Sequence, residues 1–596
     1  MAWHKHDSSN PQPGAPASAQ DGDFIIDGSN TTVSGKPAID TQLARFSVGQ
    51  NSTMLYSGLV NGQKGNTVWV KGGDYERFTF DARDVFGVPG NPVKIVNYGG
   101  QVKSRRFSWL YTEHIKISGK YANGFGDVSF RGHDVGYTNS KEKYGWYADN
   151  KWYGTLTTYS GGTVMRYGDI LWSFSGVNPI TGNNCHDVEL EYFGIGNGGF
   201  TGLMIKTNGS LLPMYNFKIH DGAIFDTDAE STYFGYGGIG SNFDTQVQHE
   251  IINFEMYNCR LLRAGGEAVQ MTPCREVNFH NNVVIASGCN WRNAWSQSQD
   301  GLLQLNPIGS NWFHHNILTG GRVVGAFSPD VISPLLAAHQ AYNPPVFEIT
   351  DNYFGDSHGG NIYYGRGYNQ DSYTVRRFNR NFLDESKNRT DELTGGTTYP
   401  TWFDKQSAWI NFSNQGLGAY EFLNNKIYPQ KVMPGNSSTV SSSGNVSEAP
   451  DKPAYNNSGY PAGWDYSLFS HYTAKYFEVW AAINPGDIVK YTNKAMTPVY
   501  YPAGTRVRVG INNLGTRFYE LNVGQTGVDG SGDPIIPGAE NSDTAWTEIA
   551  NPADDYTLVE GSTYEQLGIG LTDVPIVLPP EPPSTHISNK GRRLMI

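Results

Sequence analysis

The stretch REVNFHNNVVIASG, Arg275 to Gly288, decides the fold of this chain. Val277 and Phe279 alternate with polar residues, as in a half-buried strand. Asn281 and Asn282 interrupt this alternation, and two valines resume the apolar pattern directly afterwards. The pattern predicts a strand, a tight corner and a second strand. A single unit of this kind is a local feature, but a recurring one indicates an architecture.

The same unit recurs along the middle of the chain. Each copy has an apolar residue, one or two polar corner residues and a second apolar residue. The copies are FKIHDGAIF (217–225), FEMYNCRLL (254–262), NFHNNVV (278–284), WFHHNIL (312–318), FEITDNYF (347–354), RRFNRNFL (376–383) and YEFLNNKIY (420–428). The second corner positions, 222, 259, 282, 316, 352, 381 and 425, follow one another at intervals of 23 to 44 residues. Such an irregular interval is typical of one supersecondary unit repeated with loops of different length.

These units predict strands that stack. Their apolar residues alternate with period two, whereas a helix would place them three and four residues apart. Strands this short do not bury an apolar face alone, so each must lie against the equivalent strand of the next unit. An asparagine at the corner tolerates left-handed backbone, and its amide can bond to the same residue one coil further along. We therefore predict an all-β fold in which parallel sheets wind into a β-solenoid.

The first coils add a family resemblance. The stretches GNTVWVKGGDYERFTF (65–80), GNPVKIVNYGGQV (90–102) and EHIKISGKY (113–121) resemble the first turns of right-handed parallel β-helix proteins of the pectate-lyase-like superfamily. The resemblance covers residues 60 to 430, and it implies a right-handed parallel β-helix. That superfamily includes lyases, hydrolases, phage tailspikes and adhesins, so the resemblance implies a fold more than an activity.

Composition excludes some functions. The formal net charge of the 596 residues is −12, and a nucleic-acid partner is not expected because a phosphate-binding surface needs clustered Lys and Arg. No run approaches the ~18 apolar residues of a membrane span, and the first residues lack the apolar core of a secretory signal. The four cysteines, Cys185, Cys259, Cys274 and Cys289, are too few for a disulfide scaffold and are expected to be buried.

Composition also divides the chain into five predicted parts. They are an N-terminal arm that caps the first coil or docks on another subunit (1–35), the parallel β-helix (36–435), a Ser/Gly/Pro-rich linker (436–463), a small β domain (464–574) and an extended tail (575–596). Within the small domain, INPGDIVKYTNK (483–494), TRFYELNVGQTG (516–527) and AWTEI (545–549) are similar to carbohydrate-binding modules of the chitin-binding type. This second resemblance implies a carbohydrate-binding role for the domain.

Chemistry is expected in the long loops between strands. The longest predicted loops are 226–246, 289–307 and 327–345, which come from successive coils and would form one wall of a groove. The candidate catalytic residues are Asp226, Asp228, Glu267, Asp300 and Arg275. A glycoside hydrolase needs two carboxyl groups about 5–10 Å apart, and adjacent coils are about 4.8 Å apart. Asp226 or Asp228 with Glu267 or Asp300 would meet that distance, although solvated loop acids are the alternative for each.

A lyase of the pectate type would use different groups. It would need calcium, the one cofactor considered, held by clustered acids such as DTDAE (226–230), and an arginine such as Arg275 as the base.

Three further residues are candidate carbohydrate contacts. Trp291, Trp295 and His315 would offer flat faces or polar tips to sugar rings, while packing of the loops is the alternative for the tryptophans. His314 and His315 are adjacent on a predicted strand, so they should point to opposite faces. No metal site is therefore predicted there.

Two functional hypotheses follow. The first is a bacteriophage tailspike or fibre protein of the virion, a homotrimer attached to other virion subunits, that binds a bacterial surface polysaccharide through its β-helix groove. The alternative is a polysaccharide-degrading enzyme, a lyase or glycoside hydrolase, that acts outside the cell, at the cell surface or on the phage.

Overall fold

A computed structural model describes much of the chain, and all structural statements below concern these parts. They are residues 3–10, 15–16, 18–26, 32–33, 36–37, 45–46, 67–83, 85–120, 144–149, 155–158, 164–167, 171–177, 182–196, 201–206, 212–225, 227, 230–235, 251–262, 264, 267–285, 303–307, 310–319, 325–327, 346–355, 362–364, 375–384, 410–411, 420–428, 440–455, 500–501, 506–511, 515–522, 525–526, 546–549 and 556–571.

The main body is a coil with three strands in each turn. One turn runs through Met214–His220, Ala223–Phe225 and Thr232–Gly235, and Ile251–Tyr257 then begins the next turn beside the first of these strands. Equivalent strands pair in parallel, which builds three sheets along a common axis. The predicted right-handed parallel β-helix with a small antiparallel β domain after it is confirmed.

Sheet A is the longest of the three sheets. It contains Phe24–Ile26, the first parts of Thr67–Arg83 and Val93–Leu110, Glu113–Ser118, His186–Glu191, Met214–His220, Ile251–Tyr257, the last part of Val269–His280, Asn311–His314, Val346–Thr350, Val375–Asn379, Tyr420–Leu423 and Val440–Ser443.

Sheets B and C complete the coil. Sheet B contains the middle parts of the two long strands, Trp146–Asp149, Phe193–Gly196, Ala223–Phe225, Arg260–Leu262, Val283–Ile285, Ile317–Thr319, Tyr353–Gly355, Phe382–Asp384 and Lys426–Tyr428. Sheet C contains Arg45–Phe46, the last parts of the two long strands, Trp172–Ser175, Leu203–Ile205, Thr232–Gly235, the first part of Val269–His280, Leu303–Pro307, Gly325–Phe327, Ile362–Tyr364 and Ile410–Asn411.

Columns of apolar side chains fill the inside of the coil. Residues at the same position of successive strands lie over one another because the strands pair in register. One such buried column is Ile117, Leu190, Ile219, Met256 and Phe279. Cys185, Cys259 and Cys274 are buried, as expected for small apolar residues, and Cys289 lies outside the described residues.

At the corner between sheets A and B, two neighbouring residues have different roles. One takes the left-handed backbone conformation, and the other makes the side-chain hydrogen bonds that join successive coils. The first residue takes left-handed backbone, for example Asn281 with φ 52°. The second residue makes the ladder: Oδ1 of Asn316 accepts from the backbone N–H of Asn282 at 2.9 Å, and Nδ2 of Asn316 donates to the carbonyl of Phe279 at 3.0 Å. The same bonds recur at Asn352, Asn381, Asn425 and Asn445. The sequence predicted these side-chain hydrogen bonds between coils, but it assigned both the left-handed backbone and the hydrogen bonds to a single asparagine.

The first coil is covered by residues near the N-terminus. Phe24–Ile26 pairs in parallel with Val68–Val70 of the first long strand, and Trp3–Lys5 pairs antiparallel with Phe24–Ile26. The side chain of Asp23 accepts from Nε1 of Trp69 at 2.9 Å. These contacts satisfy backbone groups that would otherwise form an open sheet edge.

The other end of the stack continues into residues for which composition predicts a linker. Val440–Ser443 pairs with Tyr420–Leu423 as the last strand of sheet A. Further along, the small β domain contains antiparallel strands. They are Arg506–Ile511, Gly515–Leu521 and Trp546–Ile549 in one sheet and Tyr500–Tyr501 with Gln525–Thr526 in another.

Two other short antiparallel pairs lie outside the three long sheets. They are Thr32–Val33 with Lys36–Pro37 and Thr155–Thr158 with Val164–Tyr167. Among the described residues, no helix is of the length and apolarity that crossing a membrane requires.

Residues 556–571, the C-terminal segment, pack against the outer face of sheet B. This segment contains the helix Thr563–Gln566 and buries Tyr556, Leu558, Tyr564 and Ile569 in one cluster with sheet B residues. Nδ2 of Asn281 donates to the carbonyls of Gly568 and Gly570, both at 2.7 Å. The outer face of sheet B is thus a packed interface in the coils that contact this segment.

Replacing Tyr564 tests this interface. Its ring meets those of Tyr353 and Phe382 at 5.0 and 5.3 Å, and its hydroxyl donates to the carbonyl of Asp451. We expect Tyr564→Ala to lower the free energy of unfolding by about 3–5 kcal/mol because it empties a buried aromatic site. Tyr564→Phe removes only the hydrogen bond and should cost about 1 kcal/mol. Chemical denaturation of both variants checks this, and equal losses would contradict the packing role.

Candidate functional site

Charged side chains gather on the outer face of sheet A in three consecutive coils. The register places Lys116 beside Glu189, and Ser118, Glu191 and His220 at the same position of successive strands. Residues 115, 117, 188 and 190 point into the core, so strand alternation turns their polar neighbours outward. We call Lys116, Glu189, Glu191 and His220 the carboxylate cluster.

The cluster is a closed network of charge pairs. Nζ of Lys116 lies 2.8 Å from Oε1 of Glu189 and 3.1 Å from Oε1 of Glu191. Nε2 of His220 lies 3.1 Å from Oε1 of Glu189 and 3.6 Å from Oε2 of Glu191. Nδ1 of His220 lies 2.7 Å from Oδ2 of Asp221, which orients the ring toward the two glutamates.

The protonation states follow from this network. Burial alone would raise the pKa of Glu189, but its hydrogen bonds with His220 and Lys116 outweigh burial and lower that pKa to about 2. Burial would lower the pKa of Lys116 and of His220, yet the carboxylates around them raise both. The network therefore favours the protonated forms of Lys116 and His220 and the ionised form of Glu189.

A stack of rings extends from the cluster along the outer face of sheet A. His220, Tyr257, His280 and His314 follow one another in successive coils, with neighbouring ring centres 4.7, 5.1 and 5.0 Å apart and planes within 7°. The stack presents ring edges along a line parallel to the coil axis. His220 and His280 are buried in this stack, and Tyr257 and His314 are half-buried.

His314 makes the stack sensitive to acid. Burial and the neighbouring His280 and His315 lower the pKa of His314 from 6.5 to about 2. In the unfolded chain this imidazole takes up a proton as pH falls through 6.5, whereas in the folded protein it stays neutral. The contribution of the His314 imidazole to the free energy of unfolding is therefore complete above pH 6.5 and is lost progressively as pH falls below 6.5.

We expect His314→Asn to remove this part of the acid sensitivity. Asparagine is found at the same position two coils further on, at Asn379. Denaturation midpoints of wild type and variant between pH 7 and pH 4.5 should converge as pH falls. A constant difference across this range would show that His314 titrates alike in both states.

The structure places some of the sequence-derived candidates. Glu267 is buried just before the sheet C strand that begins at Val269. Arg275 lies in the sheet A part of the same strand, and its Nη1 lies 3.6 Å from Oε1 of Glu276. Glu267 and Arg275 thus belong to different sides of the coil. Asp226, Asp228, Asp300, Trp291 and Trp295 lie outside the described residues.

His315 differs from the expectation. The prediction that His314 and His315 point to opposite faces is wrong, because the strand ends at His314 and His315 takes left-handed backbone with φ 56°. Their Nδ1 atoms are 2.8 Å apart. The carbonyl of His315 accepts from the backbone N–H of Gly570, so the C-terminal segment lies over this residue.

The carboxylate cluster does not fit the calcium that a pectate-type lyase would need. Calcium takes six to eight oxygen ligands. Glu189, Glu191 and His220 could offer two carboxylates and one imidazole nitrogen to an ion, and the ammonium group of Lys116 already bridges the two carboxylates. The ammonium group of Lys116 thus supplies the positive charge that a calcium ion would otherwise bring to these two carboxylates.

None of the residues in the carboxylate cluster is among the candidates from the sequence. A usable signal exists: at equivalent outward positions the strands carry Lys116, then Glu189 and Glu191, then Lys218 and His220. The sequence-based candidates lie in or near the long loops instead. Lys116 and Glu189 are 73 positions apart in the chain, although their side chains form a hydrogen bond.

Comparisons with known proteins are distant. No protein-family model matches, and no curated protein matches. Among solved structures, an alginate lyase from Paenibacillus sp. str. FPU-7 matches with 9% identity and a TM-score of 0.25, over 66% of this chain and 96% of that chain. The A-module of the Azotobacter vinelandii mannuronan C-5 epimerase AlgE6 matches with 11% identity and a TM-score of 0.25, over 67% and 96%. Pectate lyase Pel9A matches with 9% identity and a TM-score of 0.25, over 65% and 74%.

Proposed function

We propose that this protein is a polysaccharide lyase that cleaves an acidic polysaccharide on the outer face of sheet A. The observation that carries the proposal is the convergence of Lys116, Glu189, Glu191 and His220. Lys116 and His220 are cationic groups paired with the carboxylates of Glu189 and Glu191. An acidic sugar can bind here when its own carboxylate replaces a glutamate as the partner of these two groups. This proposal favours the enzyme among the two hypotheses from the sequence.

Substrate binding would change the basicity of Glu189. Its pKa is low only because His220 and Lys116 bond to it, while burial acts in the opposite direction. When the substrate carboxylate takes over those two cations, burial is left as the main influence and the pKa of Glu189 rises. Glu189 then becomes a base beside the sugar carbon that bears the carboxylate.

Tyr257 is placed to supply the second proton. Its ring stacks on that of His220 at 4.7 Å, and burial followed by the surrounding carboxylates raises the pKa of its hydroxyl, which keeps it protonated. In the elimination, Glu189 takes the proton from the carbon next to the carboxylate and a carbon–carbon double bond forms. The bond to the glycosidic oxygen breaks, and Tyr257 gives its proton to that oxygen.

A glycoside hydrolase is less compatible with this cluster. Such an enzyme needs one carboxyl group that is protonated at working pH. Glu189 is ionised, and both glutamates accept from the same ammonium group of Lys116. The cluster supplies cations that neutralise a carboxylate substrate, which is what an elimination requires.

Incubation with acidic polysaccharides tests the proposal. Purified protein should release oligosaccharides with an unsaturated terminal sugar, detected by ultraviolet absorbance and mass spectrometry. Saturated products would indicate a hydrolase instead. Tight binding without any cleavage would overturn the enzyme proposal and favour the surface-glycan adhesin, whose virion location, homotrimeric state and attachment to other virion subunits stay predictions from the sequence.

A further inference from the structure

Two histidines and an aspartate converge at the corner where the coil enters sheet A. Nδ1 of His114 lies 3.4 Å from Oδ2 of Asp187, and Nδ1 of His186 hydrogen-bonds to the same oxygen. One ligand atom from each of the three residues lies within 4.8 Å of the others. We call His114, His186 and Asp187 the histidine cluster. It shares no residue with the carboxylate cluster proposed for catalysis.

Backbone geometry creates this convergence. His114 and Asp187 have φ of 51° and 53°, and Asn216 has 58° at the same place one coil further on. Left-handed backbone interrupts the alternation of the strand and turns these side chains out of its regular rows. The rings of His114 and His186 consequently meet edge to face, with centres 5.1 Å apart.

Neighbouring residues hold the three groups in place. Nδ2 of Asn216 donates to Oδ1 of Asp187 at 2.8 Å, which leaves Oδ2 directed at the histidines. Nε2 of His186 faces Oε2 of Glu113 at 3.4 Å, and the ring of Tyr215 lies parallel to that of His186 at 4.4 Å. In metal sites, a ligand histidine is commonly oriented by a carboxylate on its other ring nitrogen, and a ligand carboxylate by a hydrogen-bond donor. Glu113 and Asn216 occupy these two supporting positions here.

The donor atoms select a class of ion. Two imidazole nitrogens and one carboxylate oxygen suit zinc and similar transition metals, whereas calcium and magnesium prefer oxygen alone. The side chains of His114 and Asp187 are 19% and 28% exposed, so an ion can reach the cluster from solvent. Three protein ligands leave a further coordination position open.

We propose that the histidine cluster is a binding site for a divalent transition-metal ion, with Zn²⁺ as the ion that its donors fit best. His114 and His186 bind through Nδ1 and Asp187 through Oδ2, with Asn216 and Glu113 as supporting contacts. The site is independent of the proposed lyase activity.

Zinc titration of the chelator-treated full-length protein tests this proposal. Isothermal titration calorimetry should show a zinc-binding event that His114→Asn abolishes. Asparagine is the matched replacement because Asn216 and Asn253 occupy the same left-handed column and show that it fits this backbone. Asn216→Ala keeps all three ligands and should weaken zinc binding by about 10–100-fold.

A control variant and a spectroscopic readout decide the location of the ion. His220→Asn alters the carboxylate cluster and should leave zinc affinity unchanged. Cobalt added in place of zinc should give the visible absorption of a low-coordinate ion, and His114→Asn should remove it. Zinc binding that survives His114→Asn, or that disappears in His220→Asn instead, would overturn the proposal. These measurements use no polysaccharide, so their outcome is separate from that of the lyase assay.

Discussion

Replacing Lys116 with methionine should lower the rate of polysaccharide cleavage by about 10²–10³-fold, the usual loss when one group that stabilises developing negative charge is removed. The ammonium nitrogen of Lys116 lies 2.8 Å from Oε1 of Glu189 and 3.1 Å from Oε1 of Glu191, so it bridges the two carboxylates. Methionine keeps the length and apolar stem of the side chain but carries no charge. The substrate carboxylate would then meet two glutamates with only His220 to offset them.

Lys218→Met is the matched control for this prediction. Lys218 occupies the equivalent strand position two coils further on, but its side chain is 46% exposed and its Nζ lies 3.5 Å from Oε2 of Glu255. An exposed pair of this kind contributes little, so we expect a change in rate of less than about tenfold. Initial rates measured on the same polysaccharide compare the two variants, with circular dichroism to verify folding. Equal losses would show that Lys116 acts only through the general charge of the surface.

Replacing Asn316 with alanine should lower the free energy of unfolding by about 2–6 kcal/mol. The change leaves the backbone N–H of Asn282 and the carbonyl of Phe279 without their partner, and each buried group left in this way costs about 1–3 kcal/mol. Asn316 itself is fully buried, so water does not replace the lost bonds. Chemical denaturation of the purified variant measures the loss.

The last rung of the ladder supplies the control for Asn316. Asn445 makes the same two bonds, to the N–H of Asn425 at 2.9 Å and to the carbonyl of Phe422 at 2.8 Å. It is only half-buried, so water can take the place of its amide. We expect Asn445→Ala to cost about 1 kcal/mol or less. A loss as large as that of Asn316→Ala would contradict the role given to burial.

The fold could be predicted from the sequence because its signal is local and repeated. Each corner asparagine, such as Asn282 or Asn352, serves the coil beside it, and the apolar alternation around it sets which side chains point inward. Stacking needs no knowledge of the distance between repeats along the chain. Loops of any length between coils therefore leave the prediction intact.

The candidate site could not be predicted in the same way. Lys116 and Glu189 become neighbours only when the register between their strands is known, and the residues between them hide that register in the sequence. His315 shows a second limit. Strand alternation predicts its direction only while the backbone stays extended, and the left-handed φ of 56° brings its ring against that of His314. Contacts from the C-terminal segment, such as that of Gly570 with His315, are likewise set by tertiary packing.

A crystal structure of the Glu189→Gln variant with an acidic oligosaccharide tests the central claim most directly. We predict that a sugar carboxylate lies within hydrogen-bond distance of Nζ of Lys116 and that the sugar chain follows the ring edges of His220 and Tyr257 along sheet A. An oligosaccharide bound against the loops 226–246, 289–307 and 327–345 or on the small β domain, with the outer face of sheet A free of sugar, would contradict it.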